Sequence, residues 1–187
     1  MAPAPDRRPP RIPGSSGRVR PVTCYDAAAL AEPGREVTRF DAELAELVED
    51  MFATMYAHDG VGLAACQIGV PLRVFVFDCP DDEDVRHLGY VVNPALADLD
   101  GVDVVGEEGC LSLPGVRAPT PRADRAVVRG VDLAGDPLEI EGTGFFARCL
   151  QHETDHLDGT LFPARLGAFR RRRALRAARR APWYVAR

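Results

Sequence analysis

The sequence contains no lysine, because all 23 of its basic residues are arginine. This absence excludes any mechanism that needs a lysine as a base or as a Schiff-base former. The 28 acidic residues outnumber the arginines, and the formal net charge is −5 with a pI near 5.4. Nucleic-acid binding is therefore not expected to be the main function of so acidic a chain, and no DNA partner is expected.

Long apolar runs are also absent. No stretch approaches the ~20 apolar residues that cross a bilayer, so no membrane partner is expected. The N-terminus has arginines but lacks the apolar segment of a secretory signal. Six prolines and a Gly-Ser-Ser-Gly stretch within residues 1–22 instead predict a disordered or loosely attached leader. We expect residues 23–187 to form a single domain.

Cysteines are few and have no regular spacing. The five cysteines are an odd number without any Cys-x-x-Cys pair. A disulfide scaffold would need a denser and even set, so the pattern favours a reducing, cytoplasmic environment. Each cysteine is then a candidate free thiol or metal ligand.

Apolar periodicity predicts an α+β fold, with several short, mostly antiparallel strands around one central helix and a further helix towards each end. The predicted helices cover residues 41–58, 145–157 and 166–180, with Asp41 as the N-cap of the first. The predicted strands cover residues 72–78 and 90–94, the second ending at Pro94, and a hairpin formed by 126–133 and 137–141.

The central helix contains the sequence Gln151-His-Glu-Thr-Asp-His156. His152 and His156 are four residues apart, so on a helix they share one face, about one turn from each other. Two imidazoles in this arrangement can bind one metal ion while Glu153 reaches a metal-bound water. The alternative is a pair of helix-surface histidines that make ordinary hydrogen bonds.

A catalytic metal site needs a third protein ligand and an open position. No glutamate follows Glu153 and no histidine follows His156, so the third ligand must come from upstream. Cys110 is the candidate, because two histidines and one cysteine form a known catalytic set. Cys149 is its rival, but one helix does not easily supply three ligands to a tetrahedral ion, which favours a packed thiol at that position.

Three segments, residues 60–67, 108–112 and 151–157, resemble in this order the signature motifs of peptide deformylase. The resemblance extends over about residues 23–180. It implies a cytoplasmic metallohydrolase that removes the formyl group from the N-terminal formylmethionine of newly synthesised proteins.

The resemblance also implies roles for individual residues. Cys110, His152 and His156 would hold one divalent metal ion with a water as fourth ligand. Fe(II) would be the native metal, and zinc, nickel or cobalt could replace it in preparations. Glu153 would act as general base and then as general acid. The Gln67 side chain and the Leu111 backbone N–H would stabilise the oxyanion.

Other positions match the family's substrate pocket. Gly60 and Gly62 would pair with the peptide as an added strand. The methionine side chain would contact Val61, Gly109, Phe145 and Cys149. Arg148 stands where many relatives carry an apolar residue, and at the pocket edge it is expected to alter side-chain preference.

Glu108 matches a buried carboxylate that would support the metal site from behind. Its expected partner is Arg117 or a histidine N–H. A surface salt bridge is the alternative interpretation of this residue.

Two other classes of protein remain open. A different metallopeptidase could use the same helix, although it would lack a downstream third ligand. A non-catalytic module, either a structural metal site or an RNA-binding protein, is the second alternative, but it would have no use for Glu153. Eight arginines between Arg165 and Arg180 indicate either a solvated helix face or an anchor on ribosomal RNA.

Overall fold

The computed structural model describes residues 13–184 and has the expected α+β class. One antiparallel sheet has the strand order β1-β2-β3-β4-β5. The strands are β1 (Gly62–Ala64), β2 (Val74–Pro80), β3 (Arg86–Gly109), β4 (Arg117–Val131) and β5 (Pro137–Thr143). The helices are α1 (Ala42–Ala57), α2 (Gly144–Leu157) and α3 (Ala168–Ala178). Single 3-10 turns occupy Ala28–Leu30, Ala65–Ile68 and Phe162–Arg165.

Strand β2 lies in the middle of the core because its side chains alternate between two apolar clusters. Phe75 and Phe77 pack in the cluster that contains residues of α2, whereas Val74 and Val76 pack in the cluster that contains residues of α1. Since successive strand residues point to opposite faces, the two helices cover opposite faces of the sheet. Because β2 is buried on both faces, residues 74–77 are all apolar.

Two strands are longer than expected. The predicted strand end at Pro94 is wrong, because β3 continues to Gly109 and β4 accompanies it over 15 residues. A register shift between Val92 and Ala95 accommodates the proline, and Asn93 there has a φ of 52°. Such a bulge lets a strand pass a residue that cannot donate to the ladder. The Asn93 side chain compensates by bonding to both the N–H and the carbonyl of Val37.

The three helices and β5 agree with the sequence-based prediction to within two residues, whereas β4 begins at Arg117 and not at residue 126. Asp41 caps α1 by accepting hydrogen bonds from the Glu43 and Leu44 backbone N–H groups. β4 and β5 form the expected antiparallel hairpin. Helix α2 is buried on nearly all sides and is the central element of the fold.

The interpretation of residues 1–22 as a loose leader needs correction for residues 13–22. The Arg20 N–H donates to Thr54 Oγ1 at 2.9 Å, and its guanidinium pairs with Asp50 at 3.2 Å. The Gly14 N–H donates to Glu49. This segment therefore lies along α1 and belongs to the folded unit. Residues 1–12, for which the same prediction was made, lie outside the described residues.

Helix α3 packs on the edge of the domain through its small residues. Ala174 and Ala178 are buried in a cluster with Leu113, Val116 and Phe162, while the arginines of the helix face outward. Between residues 13 and 184, no helix has the length and apolar character to cross a membrane.

Candidate active site

A cavity of about 550 Å³ opens between β1, the end of β3 and the first turns of α2. It brings together segments that are 90 residues apart in the sequence. The residues predicted for the site that line it are Gly60, Val61, Gly62, Gln67, Glu108, Gly109, Cys110, Leu111, Arg117, Phe145, Cys149, His152 and Glu153. Arg148 also lines the cavity. His156, the remaining predicted residue, lies one helical turn below His152.

Cys110 and the two histidines form a group suited to one metal ion. Their ligand atoms all lie within 4.8 Å of one another. His156 Nε2 is 3.2 Å from His152 Nε2 and 3.2 Å from Cys110 Sγ. Three atoms with lone pairs that converge this closely fit a single divalent cation, and a thiolate with two imidazoles suits zinc or iron. The donor set present therefore fits the expected metal.

Cys149 is outside this group, although it is close in sequence to His152. Its sulfur faces the Val61 carbonyl at 3.7 Å, and its side chain belongs to the apolar cluster under the sheet. A hydrogen bond with Cys79, together with burial, raises the pKa of the Cys149 thiol well above its ordinary value. Cys149 is thus a protonated thiol in the cavity wall, whereas the Cys110 sulfur lies with the two histidine nitrogens as a candidate ligand.

Glu108 lies behind His152 and fixes the orientation of its ring. Its Oε1 is 2.6 Å from His152 Nδ1, which leaves Nε2 of the ring directed at the other ligand atoms. Of the two partners expected for Glu108, the structure shows the histidine and not Arg117. Glu108 is 4% exposed, so the surface salt bridge is also wrong.

The strand register explains why Arg117 is not the partner. Glu108 is opposite Ala118 on β4, so Arg117 is directed to the other side of the strand, while Arg122 shares the side of Glu108. Arg122 donates to both oxygens of Glu108, at 2.6 and 3.1 Å. Burial alone would favour the neutral acid, but the hydrogen bonds from His152 and Arg122 hold the pKa of Glu108 well below its usual range.

The charge network continues along α2. Arg122 also donates to Asp155 at 2.6 Å, and Asp155 pairs in turn with Arg165. Arg148 donates to Glu108 at 3.0 Å. Each buried carboxylate in this network has guanidinium partners, which is the condition under which buried charge is tolerated.

Glu153 is buried in the cavity wall and has no such partner. It is 4% exposed, and its Oε2 has no hydrogen-bond partner within residues 13–184. Burial raises the pKa of Glu153 to about 7. A carboxylate with a pKa near neutrality and a free oxygen is suited to taking up and releasing a proton.

Gly62 makes room for Glu153. A side chain at residue 62 would place its Cβ 2.4 Å from Glu153 Oε1 and 3.0 Å from Cys149 Sγ. Any residue other than glycine would therefore displace the carboxylate. The small residues of segment 60–67 serve this close approach of backbone to α2.

Gln67 and Leu111 offer hydrogen-bond donors beside Cys110. The Ala64 N–H donates to Gln67 Oε1 at 2.8 Å, so Nε2 of the amide points towards Cys110 Sγ at 3.6 Å and Ser112 Oγ at 3.2 Å. The backbone N–H of Leu111, at the cavity wall, donates to no group in the described part of the chain. The Gln67 amide is thus directed at a candidate metal ligand, and the Leu111 N–H, next to Cys110 in the chain, has no acceptor in the described part of the chain.

The cavity also has features of a peptide-binding cleft. Val61 and Phe145 expose 39% and 38% of their surface at its wall, which leaves apolar surface open to a ligand. Strand β1 is at the edge of the sheet and, among residues 13–184, pairs with β2 alone. An extended peptide can add to such an edge.

Sequence reasoning missed Ser112, Arg122 and Asp155, which hold other site residues in place. Ser112 lies inside the segment 108–112 and could have been included with it. Asp155 lies inside the segment 151–157 and could have been included in the same way. Arg122 had no usable signal, because only the register of β3 on β4 shows that a strand arginine is directed at α2.

The sequence matches the polypeptide deformylase family over residues 19–172. The chain belongs to the peptide deformylase family. A peptide deformylase 2 from Streptomyces avermitilis is 62% identical over 172 residues, which are 92% of each chain. The crystal structure of peptide deformylase from Thermus thermophilus is 42% identical, with a TM-score of 0.78 over 86% of this chain and 93% of that one.

A class I type b peptide deformylase from Acinetobacter baumannii, crystallised with Met-Ala-Ser bound, is 33% identical. Its TM-score is 0.73 over 79% of this chain and 98% of that one. Peptide deformylases are metal-dependent hydrolases that remove the N-formyl group from newly synthesised proteins, and family membership assigns this activity to the chain.

Proposed function

We propose that the deformylase reaction takes place in this cavity, with Cys110, His152 and His156 as ligands of one divalent metal ion and Glu153 as the proton carrier. The substrate is the N-terminal formylmethionine of a nascent peptide. The single observation that supports this assignment is the free, buried Glu153 oxygen beside three converging ligand atoms.

We infer Fe(II) as the native metal, with zinc, nickel or cobalt as possible replacements. One soft thiolate and two imidazoles suit each of these ions. Such an ion, when bound, lowers the pKa of water from ~15.7 to about 7 and polarises a carbonyl oxygen. The Glu108 contact to His152 Nδ1 keeps the ring in the tautomer that presents Nε2 as a ligand.

Glu153 moves the proton in both halves of the reaction. It takes a proton from the attacking water, whose oxygen forms a new bond to the formyl carbon. It then delivers that proton to the amine as the formyl C–N bond breaks, so the products are formate and a free N-terminus. A pKa near 7 lets one carboxylate perform both transfers at neutral pH.

Gln67 and Leu111 stabilise the oxygen that becomes negative when water adds. The Gln67 amide is already oriented by Ala64 and Ser112, so no reorganisation is needed during the reaction. The free Leu111 N–H is the second donor. Each oriented donor of this kind contributes about 3–4 kcal/mol in comparable enzymes.

The peptide adds to the free edge of β1 at Gly60 and Gly62. Its first side chain then enters the recess formed by Val61, Gly109, Phe145 and Cys149. The Met-Ala-Ser bound to the Acinetobacter protein begins with methionine, which supports a ligand whose first side chain is that of methionine.

The decisive experiment measures metal content and formate release together. Protein purified without oxygen is expected to contain one equivalent of iron and to deformylate formyl-Met-Ala-Ser. Chelation should abolish the activity, and Fe(II) or Ni(II) should restore it. Deformylation by the metal-free protein would disprove the proposed site. Internal cleavage of an acetyl-capped peptide would favour a metallopeptidase instead.

We further propose that the protein works in the cytoplasm and that α3 contacts the ribosome. Cytoplasmic location is supported by five free cysteines and by the family's typical substrate. The outward arginines of α3 support the ribosome contact, since they concentrate positive charge at one end of an acidic chain.

A further inference from the structure

Arg148 brings a cation to the recess that receives the first side chain of the substrate. It lies on α2 between Phe145 and Cys149 in the cavity lining, one turn before His152. Only 8% of its surface is exposed. An apolar side chain such as methionine would not require a guanidinium at this position.

Three hydrogen bonds hold the guanidinium in place. Nη1 donates to Glu108 at 3.0 Å and to the Thr120 carbonyl at 2.8 Å, and Nη2 donates to the Val104 carbonyl at 2.8 Å. A Cβ on Gly106 would be only 3.0 Å from Nη2, so the group lies close against the β3 backbone. Contacts from two strands and one carboxylate prevent Arg148 from swinging out of the recess.

These bonds leave some N–H groups of the guanidinium without an acceptor. A guanidinium has five N–H groups, and the three bonds leave Nε without a partner within residues 13–184. Nε is not among the fully buried atoms that lack a partner in this part of the chain, so it keeps some accessible surface, and Arg148 is one of the residues that line the cavity. A ligand side chain in the recess can therefore approach a charged donor that has no partner among these residues.

We propose that Arg148 is a specificity-determining residue that lets the pocket accept formylmethionine whose side chain has been oxidised to the sulfoxide. This inference rests on the proposed function, because it needs the first side chain to enter this recess. A thioether sulfur is a weak acceptor and leaves the Arg148 donor unpaired. The sulfoxide oxygen is a strong acceptor on a side chain of nearly the same length.

The surrounding charges favour a neutral acceptor over an acidic one. Three carboxylic side chains, Glu107, Glu108 and Glu153, line the same cavity. A carboxylate on the first side chain would be repelled by this group. The pocket is therefore suited to a sulfoxide and not to glutamate.

The experiment compares four substrates that differ only in the first residue: formyl-Met, formyl-methionine sulfoxide, formyl-norleucine and formyl-Glu, each followed by Ala-Ser. The measured quantity is kcat/KM for formate release by the metal-loaded protein. We expect the sulfoxide to be hydrolysed within about tenfold of methionine, and formyl-Glu to be rejected, since one hydrogen bond from a charged donor is worth a factor of ten or more.

Arg148→Met should lower the sulfoxide-to-methionine ratio about tenfold, because it removes that donor. The ratio is informative even if the variant damages the metal site, since both substrates use the same catalytic groups. Arg148→Lys should retain part of the preference. Arg129→Met, which removes an exposed arginine of β4 paired with Glu139, should leave the ratio unchanged.

Binding of the products gives a measurement that is independent of turnover. Calorimetry on the zinc-loaded protein should show Met-sulfoxide-Ala-Ser binding at least as tightly as Met-Ala-Ser. An unchanged ratio in Arg148→Met, or rejection of the sulfoxide by the wild type while formyl-Met is hydrolysed, would overturn the inference alone. Failure to hydrolyse formyl-Met itself would instead contradict the proposed function.

Discussion

Helices α2 and α3 both contain several charged residues, but they place them in opposite environments. In α2, 12 of 14 residues are buried, and its Arg148 and Asp155 have guanidinium or carboxylate partners. In α3 only Ala174 and Ala178 are buried, and Arg170 to Arg173 make no ion pair within residues 13–184. Arginine is thus a fixed internal group in one helix and a free surface charge in the other.

The difference shows that burial, and not residue type, decides whether a charged side chain is held by fixed partners. Removing one partner of a buried ion pair costs about 3–5 kcal/mol, because the other charge is left uncompensated. Exposed charges are screened by salt and contribute little to stability. Substitutions in and around α2 should therefore have large effects on activity and folding, and substitutions of the exposed arginines of α3 should affect only association with a partner.

The largest effect is expected at Glu153. Glu153→Gln retains the size of the side chain and all three metal ligands but removes the proton carrier. We expect kcat for formyl-Met-Ala-Ser to fall about 10²–10⁴-fold, with metal content unchanged. Turnover close to that of the wild type in a metal-replete variant would remove Glu153 from the mechanism.

The two cysteines of the cavity provide a matched pair. Cys110→Ser should lose most of the bound metal, because a hydroxyl is a much poorer ligand than a thiolate for zinc or iron. Cys149→Ser should retain it, since that sulfur is directed at the Val61 carbonyl. Metal analysis of both purified variants checks this prediction. Loss of metal from Cys149→Ser alone would show that the third ligand has been assigned wrongly.

Two neighbouring glutamates test the cost of buried charge. Glu108→Gln removes the anion of Arg148 and one of the two anions of Arg122, so the free energy of unfolding should fall by about 3 kcal/mol. Glu107→Gln, one residue away on β3 and exposed, should change it by less than about 0.5 kcal/mol. Urea denaturation of both variants measures the difference, and equal stabilities would contradict the network described for Glu108.

The smallest effect on catalysis is expected in α3. Truncation after Gly167 removes no residue of the cavity, so hydrolysis of a short formyl-peptide should be largely retained. Co-sedimentation with ribosomes should decrease, and for the full chain it should weaken steeply between about 50 and 200 mM salt. A variant with Arg170 to Arg173 changed to Gln preserves the helix as a control. Equal co-sedimentation of all three proteins would leave α3 as a solvated helix.

The local pattern of apolar residues was sufficient to predict much of the fold. The spacing of Leu44, Val48, Met51 and Met55 predicted α1, and the continuous apolar run of residues 74–77 predicted the central strand. The long β3 was not predictable, because Pro94 normally ends a strand and the Asn93 bulge that bypasses it depends on Val37, 56 residues away. The packing of residues 13–22 on α1 was not predictable for the same reason, since the hydrogen-bond partners of this segment are more than 30 residues away in the sequence.

The sequence by itself determined the family and the chemistry of α2, because two histidines four residues apart with an adjacent glutamate need only a helix to share one face. Only the tertiary structure decided which cysteine faces them and which arginine neutralises Glu108. Those choices depend on the register of β3 against β4, where a shift of one residue reverses the side of the strand to which a side chain points. The same register brings the Val104 and Thr120 carbonyls together, so that Arg148 of α2 can donate to both.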